Sequence, residues 1–240
     1  MEARELPRGP ELAVTEVTVS FGGITALEEV SLGVSSGEVL GVIGPNGAGK
    51  TTLFNAICGF VRPNAGTISW AGKPLTGGRP DRLVGSGIAR TLQGVGLFAR
   101  LTVLENVMVG AQRFRRAGLL SSLIGLPRSD SDESALRERA RGALSRVGCE
   151  KFADRLPGTL PYAIQKRVAV ARALASQPEL LLLDEPAGGL GAPDLEDLAR
   201  LIDSLRHEIA VMLVDHHMDL VTSVCDRLVV LDFGRVIASG

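Results

Sequence analysis

Apolar residues occur in short runs at both ends of the chain, whereas the middle is more charged and has a helical pattern. Up to residue 43 the runs LAVTEVTVSF, VSLGV and EVLGVIG are separated by Gly and Ser, as in strands joined by turns. After Pro178 similar runs return as LLLLDE, AVMLVD, RLVVLDF and RVIASG, with a helical pattern over residues 194–207. Residues 103–175 between them favour helices. The pattern therefore predicts an α/β core interrupted by a helical insertion, after which the chain re-enters the core.

Composition and charge exclude several classes of protein. The 240 residues are 45% hydrophobic, which suits a folded domain with a substantial core. Lys and Arg number 26 against 27 Asp and Glu, so the formal net charge of −1 gives no electrostatic case for nucleic-acid binding. The three cysteines, Cys58, Cys149 and Cys225, match no metal-ligand spacing and are expected to be buried thiols.

The N-terminus and the hydropathy pattern give no sign of membrane insertion. Residues 1–11 mix charge with proline and lack the apolar core of a secretory signal, so we expect a flexible tail. No apolar run approaches the roughly 20 residues of a membrane-spanning helix. Any link to a membrane would therefore come through a partner.

The segment GPNGAGKTT lies between an apolar strand pattern and a short helical one. It fits G-x-x-x-x-G-K-[ST], the phosphate-binding loop, in the strand–loop–helix context that makes this motif specific. Glycines let successive backbone N–H groups face the phosphates, and the helix N-terminus adds a positive dipole. Lys50 is expected to reach the β- and γ-phosphates, and the Thr51 hydroxyl to ligate Mg²⁺. The predicted ATP contacts in this loop are Gly44, Pro45, Asn46, Gly47, Ala48, Gly49, Lys50, Thr51 and Thr52.

The run LLLLDE predicts the other half of an ATP site. Residues 180–183 show no polar alternation, as in a parallel strand covered on both faces. Asp184 would end that strand, where α/β proteins bind ligands, and is predicted to hold Mg²⁺ through water. Glu185 is placed to act as the general base for the attacking water. Alone, an Asp-Glu pair after an apolar run is as often structural as functional. Together with the phosphate-binding loop it indicates ATP hydrolysis. His216, after AVMLVD, is predicted to sense the γ-phosphate, the alternative being a structural histidine.

These motifs, in this order, resemble the ATP-binding subunits of ABC transporters over nearly the whole chain, from Leu12 to Gly240. The resemblance implies a P-loop NTPase (RecA-like) α/β core with an antiparallel β subdomain and an inserted helical subdomain. It divides the chain into the tail 1–11 and one ATP-binding cassette, 12–240, with its core at 12–92 and 176–240 and its helical subdomain at about 93–175.

The resemblance also assigns roles that the motifs alone do not. Phe21 matches the aromatic residue that stacks on adenine. Gln93, in ARTLQ, matches the glutamine that joins the core to the helical subdomain and contacts Mg²⁺. The expected cofactors are ATP and Mg²⁺. The expected catalytic residues are Lys50, Gln93, Glu185 and His216, and the expected Mg²⁺ ligands are Thr51, Gln93 and Asp184.

Finer features resemble one of the paired ATPases of branched-chain amino-acid importers. They are GGITALEEVSL, GIARTLQGVGLF, LTVLENVMVGAQ and VDHHMDLV. This likeness implies an ATPase that is peripheral at the cytoplasmic face of the cell membrane. Its expected partners are transmembrane permease subunits and a second ABC ATPase subunit, with no nucleic acid.

One motif departs from the family pattern. The signature, usually Leu-Ser-Gly-Gly-Gln or Leu-Ser-Tyr-Gly-Gln, reads here Leu160, Pro161, Tyr162, Ala163 and Ile164. Pro161 has neither a hydroxyl nor an N–H, although it suits the first turn of a helix. Ala163 adds a β-carbon and Ile164 replaces an amide with a hydrocarbon. Gly191 also stands where the family often has Asp or Asn.

The departures share one property. In ABC cassettes, each ATP lies between one subunit's loop and the other subunit's signature. The residues for the chain's own nucleotide are retained, whereas those offered to the partner's nucleotide are altered. This predicts an asymmetric heterodimer in preference to a homodimer, and low ATPase activity of the isolated chain. The alternative is that a tyrosine-type signature tolerates these changes.

Two other functions are compatible with the sequence. The altered signature would also suit a regulatory ABC subunit that binds ATP with little turnover. A soluble ABC protein of translation or DNA repair is less favoured, because the tandem cassettes, zinc motifs or long coiled coils of such proteins do not occur in this sequence.

Overall fold

The computed structural model describes residues 12–75, 83–92, 94–114 and 127–240, with the backbone alone for 127–131. The predicted tail, residues 1–11, and Gln93 lie outside the described residues. The strands are β1 (Leu12–Phe21), β2 (Ile24–Val34), β3 (Val39–Ile43), β4 (Ala65–Trp70), β5 (Lys73–Pro74), β6 (Ile88–Arg90), β7 (Leu180–Asp184), β8 (Ala210–Val214), β9 (Arg227–Asp232) and β10 (Arg235–Ser239). The α-helices are α1 (Lys50–Ile57), α2 (Val103–Gly110), α3 (Pro127–Arg146), α4 (Tyr162–Leu174), α5 (Ala192–Arg206) and α6 (Met218–Val224).

The strands form two sheets. The first is antiparallel, in the order β2-β1-β4-β5. The second has the order β10-β9-β3-β8-β7-β6, in which all neighbours pair in parallel except β10, an antiparallel edge strand. The four apolar runs after Pro178 are confirmed as strands β7 to β10. Because β3, β8, β7 and β6 are neighbours and parallel, the loops that follow them meet at one edge of the sheet.

The second sheet separates two apolar cores. Leu180 and Leu182 of β7 pack with β1, β2, β4 and α1, whereas Leu181 and Leu183 pack with the helices α2 to α6. All four leucines are buried, as their uninterrupted apolar run predicts for a strand covered on both faces. The fold is therefore the predicted P-loop NTPase core with an antiparallel β subdomain.

Helices α2, α3 and α4 pack against one another and form the helical part of the chain. Thr102 begins α2 with a capping box, in which its hydroxyl accepts from the N–H of Glu105 and its own N–H donates to the Glu105 carboxylate. Among the described residues, the helices include none whose length and apolar character would let it cross a bilayer.

Candidate nucleotide site

The phosphate-binding loop joins β3 to α1 and is held tightly on two sides. Gly44 has a φ of 150°, and a β-carbon there would lie 2.1 Å from the carbonyl oxygen of Leu231, so only glycine fits. Gly49, with a φ of 102°, accepts an α1 hydrogen bond from the N–H of Leu53 at 2.8 Å. A β-carbon on Gly49 would lie 2.6 Å from the carbonyl oxygen of Ala26 in β2. The loop therefore presents its backbone and the N-terminus of α1 in one fixed arrangement, which suits phosphate.

The side chain of Lys50 lies against the loop that precedes it. Its ammonium donates hydrogen bonds to the carbonyl oxygens of Gly44, at 2.6 Å, and Pro45, at 2.8 Å, and the residue is buried. These acceptors satisfy a cation that would be costly to bury alone. Thr51 follows on the first turn of α1 and is exposed, so its hydroxyl is open to a ligand beside the ammonium.

Asp184 ends β7 as a buried carboxylate with a cation as its partner. Arg90, at the end of β6, donates from its guanidinium to the Asp184 carboxylate at 2.6 Å. The other terminal nitrogen of Arg90 donates to the side-chain oxygen of Asn55 on α1, at 2.7 Å. The N–H of Asp184 donates to the hydroxyl of Thr91 at 3.2 Å. These bonds fix the carboxylate between β6, β7 and the helix that follows the phosphate-binding loop.

Glu185 follows Asp184 in a strained backbone conformation. Its φ of 47° is in the left-handed region, which costs a residue other than glycine about 1–3 kcal/mol unless the surroundings impose it. The N–H of Glu185 donates to the carbonyl oxygen of Val214 in β8 at 2.8 Å. Its carbonyl oxygen accepts from the ammonium of Lys166 on α4, also at 2.8 Å. Strain of this kind clusters where a side chain must be aimed, and here it falls on the predicted general base.

Asp215 is a fully buried carboxylate directly after β8. Its Oδ1 accepts from the N–H groups of His216, at 2.7 Å, and His217, at 3.0 Å, and lies 2.7 Å from Nδ1 of His217. Its Oδ2 accepts from the N–H of Ala187 at 2.8 Å. Asp215 therefore links the segment that contains His216 and His217 to the segment after β7 by hydrogen bonds. The side chain of His216 is left 61% exposed at this edge of the sheet.

The structure brings most of the predicted site residues to one edge. Lys50 follows β3, Glu185 follows β7 and His216 follows β8, and these three strands are neighbours in the sheet. Phe21 ends β1 and is half exposed, beside the turn into β2. The hydroxyl of Thr51 and the carboxylate of Asp184 are the hard oxygen donors that Mg²⁺ prefers, so these two residues could hold that ion.

The signature residues lie at the start of α4, where Tyr162 packs against the segment that follows β7. Leu160 is buried, Pro161 is the N-cap of the helix, and Tyr162 is 43% exposed. Ala163 and Ile164 are partly buried, and Ile164 packs on the core that contains the helices. Positions 161–164 therefore lie partly exposed at a helix N-terminus.

Three residues of the site escaped the sequence reasoning. Arg90 belongs to ARTLQ, three positions before Gln93, and its signal was that a buried carboxylate such as Asp184 would need a cation as its partner. Asp215 precedes His216 and follows the apolar run AVMLV, much as Asp184 follows the apolar run LLLL. Lys166 lies in a helix of mixed polarity and carries no comparable signal.

Comparison with known proteins identifies the family. The ABC transporter family matches residues 27–188. The high-affinity branched-chain amino acid transport ATP-binding protein LivG of Salmonella typhimurium is 39% identical, over 96% of this chain and 91% of its own length. A nucleotide-free ATP-binding cassette from an ABC transporter has a TM-score of 0.84 at 30% identity, covering 96% of this chain and 91% of the other. The ADP conformation of MJ1267, an ATP-binding cassette of an ABC transporter, has a TM-score of 0.83 at 31% identity, covering 97% and 91%.

The fold and the site together define an ATP-binding cassette. The chain belongs to the ABC transporter family, and within it to the group of ATPase subunits that includes the branched-chain amino acid transport proteins. It binds ATP with Mg²⁺ and is an ATPase, as the sequence motifs predicted.

Proposed function

We propose that this chain energises an importer of branched-chain amino acids, as one of two different ATPase subunits. The solute is inferred from the relatives, whose names specify branched-chain amino acid transport. The chain would lie at the cytoplasmic face of the cell membrane, bound to transmembrane permease subunits. ATP binding would close the ATPase dimer, and hydrolysis with product release would reopen it.

The residues at the sheet edge would divide the chemistry among them. The loop 44–52 would bind the phosphates, with Phe21 stacking on adenine and Lys50 reaching the β- and γ-phosphates. Thr51, Asp184 and Gln93 would hold Mg²⁺, which neutralises charge on the phosphates when bound. Glu185 would accept a proton from the attacking water, and His216 would contact the γ-phosphate.

The observation that carries the asymmetry is the start of α4. Pro161 caps this helix without any side-chain hydrogen bond, because it has no hydroxyl, and it has no N–H to offer. Ile164 packs on the apolar core, where the family's glutamine would have an amide. The side-chain amide of Gln165 is engaged within the chain, donating to the carbonyl oxygen of Leu160 at 2.9 Å. The side chains of this signature therefore offer few donors to a partner's γ-phosphate.

The backbone of α4 still offers some donors. The hydrogen bond from the N–H of Gln165 to the carbonyl oxygen of Pro161, at 3.1 Å, is the first of the helix. The N–H groups of residues 162–164 have no acceptor within the helix. They lie at the N-terminus of α4, which is the positive end of the helix dipole. A partner's nucleotide could thus bind here, but with weaker stabilisation of the transition state than a serine and a glutamine would give.

The test is the ATPase rate of the purified chain, alone and with its signature restored. Pro161→Ser, Ala163→Gly and Ile164→Gln together should raise the rate of the isolated chain by about 100-fold, because charge-assisted donors to the γ-phosphate are regained. Equal rates of the wild type and the restored variant would refute the asymmetry, provided that both keep the same melting temperature.

The same preparation distinguishes transport from regulation. Membrane vesicles that contain the chain with its co-purifying subunits should take up labelled leucine with MgATP, and Glu185→Gln should abolish that uptake. The altered signature also favours the alternative of an ATP-binding regulatory subunit. ATP binding without hydrolysis, even in the presence of those subunits, would support that alternative over the transport motor.

A further inference from the structure

Lys166 is a buried ammonium on the second turn of α4, the helix that begins with the signature. The residue is 8% exposed, and Nζ donates to the carbonyl oxygens of Glu185, at 2.8 Å, and Pro186, at 3.0 Å. Burial lowers the pKa of Lys166, and the nearby carboxylates of Asp215 and Glu185 act in the opposite direction. A cation held in this way fixes the backbone that accepts its hydrogen bonds, because leaving it unpaired would be costly.

Both peptide groups of Glu185 make a hydrogen bond of 2.8 Å to another element, and its carbonyl oxygen also accepts a longer one, at 3.3 Å, from the N–H of Gly188. Its N–H donates to the carbonyl oxygen of Val214, and its carbonyl oxygen accepts from Lys166. Since its φ of 47° must be imposed by the surroundings, the two shorter hydrogen bonds help to set the direction of its side chain. The loss of Lys166 would leave the carbonyl oxygen with only the longer bond from Gly188, and would leave the bond to β8 intact.

The same helix carries the signature that is offered to the partner. Tyr162 lies one turn before Lys166, and the ammonium is 5.5 Å from the centre of its ring. A β-carbon on Gly189 would lie 3.0 Å from that ring, so the tyrosine also packs closely on the segment after β7. A displacement of the start of α4 would therefore reach Glu185 through Lys166 and through this packing.

We propose that Lys166 is a positioning residue that aims the carboxylate of Glu185 and couples it to the signature helix. This inference rests on the proposed role of Glu185 as the general base. Through this coupling, α4 has a function in the chain's own nucleotide site. It keeps that function even though its exposed signature residues have fewer hydrogen-bond donors for the partner's nucleotide. Nucleotide binding by the partner would then alter hydrolysis in this chain through α4.

The experiment measures MgATP hydrolysis by the tagged chain together with its co-purifying subunits. Lys166→Met keeps the length of the side chain but removes both hydrogen bonds, whereas Lys166→Arg keeps a cationic donor. Lys73→Met, at an exposed lysine of β5, is the control. Lys166→Met should lower kcat by about 30- to 100-fold, because a small misplacement of a catalytic group costs that much. KM and the affinity for a fluorescent ATP analogue should stay within about twofold, since ground-state binding is untouched.

Rescue and a double variant separate positioning from a general structural role. Lys166→Arg should recover kcat to within about fivefold of the wild type, and Lys73→Met should leave it unchanged. In a Glu185→Gln background, Lys166→Met should cause little further loss, because it acts through that residue. Should Lys166→Met fold poorly, Lys166→Gln, which keeps a neutral donor, is measured by the same readouts.

Several outcomes would overturn the inference. They are an unchanged kcat, a loss of ATP affinity that parallels the loss of kcat, equal losses in the Met and Arg variants, or additive losses with Glu185→Gln. An inactive Glu185→Gln beside an active Lys166→Met would refute the role of Lys166 alone. A Glu185→Gln variant with the wild-type rate would instead refute the proposed general base.

Discussion

The guanidinium of Arg90 donates to the carboxylate of Asp184 at 2.6 Å, and the two side chains are only 12% and 4% exposed. The same guanidinium donates to Asn55 on α1 and lies 5.5 Å above the ring of Phe54. One largely buried cation therefore joins the strand that ends in a predicted Mg²⁺ ligand to the helix that follows the phosphate-binding loop. The relative positions of the two halves of the nucleotide site depend on this residue.

Replacing Arg90 with methionine should destabilise the protein by about 3–5 kcal/mol, because the Asp184 carboxylate would stay buried without its cation. Urea unfolding followed by circular dichroism measures the change. Arg90→Met should also weaken the dependence of ATP binding on Mg²⁺, since Asp184 would no longer be fixed.

The matched control for this prediction is Arg235→Met. Arg235 pairs with Glu28 at 2.5 Å, but the two side chains are 64% and 41% exposed. A surface pair of this kind contributes at most about 1 kcal/mol. If both variants lose the same free energy of unfolding, burial is not what makes the Arg90 pair important.

Local patterns predicted the parts of this molecule that depend on neighbouring residues. The uninterrupted leucines of residues 180–183 identified a strand covered on both faces, and the spacing of Gly44, Gly49 and Lys50 identified the phosphate-binding loop. The nucleotide and Mg²⁺ followed from those two motifs.

Such patterns do not predict contacts between residues that are far apart in the sequence. Arg90 and Asp184 are separated by 94 positions, and their pairing follows from the order of the strands. Lys166 is one of several charged residues in α4, and only the packing of that helix against the segment after β7 shows which one is buried. The strained φ of Glu185 likewise results from bonds made by other elements.

Substitution of Gly44 should damage the site far more than substitution of Gly47, although both have positive φ and lie in the same loop. A β-carbon on Gly44 would lie 2.1 Å from the carbonyl oxygen of Leu231, whereas a β-carbon on Gly47 would meet nothing within 4 Å. Gly44→Ala should therefore displace the loop and lower ATP affinity by at least about tenfold. Titration with a fluorescent ATP analogue measures the loss.

Gly47→Ala provides the comparison within the loop. It should cost about 1–2 kcal/mol of stability through its left-handed backbone alone, and should leave ATP affinity within about threefold of the wild type. Equal losses of affinity in the two variants would show that the backbone conformation, and not the contact with β9, is the reason why position 44 requires glycine.

Alkaline pH should destabilise the protein through Cys58, which lies buried near Arg90. Burial raises the pKa of the Cys58 thiol from its ordinary 9.0 to about 11, and the attraction of Arg90 opposes this only in part. The unfolded chain therefore loses this proton at lower pH than the folded chain. The stability contributed by the protonated thiol is complete below pH 9 and is lost as the pH rises through 11.

The comparison of the wild type with Cys58→Ala isolates this effect. The free energy of unfolding from urea curves at pH 8 and at pH 10.5 should fall more in the wild type, by on the order of 2 kcal/mol. Ser176→Ala is the control, because Ser176 is a buried residue that does not titrate. This substitution should lower the free energy of unfolding by the same amount at both pH values. An identical pH dependence in the wild type and Cys58→Ala would mean that the thiol titrates normally in the folded protein, and that Arg90 or solvent stabilises its thiolate.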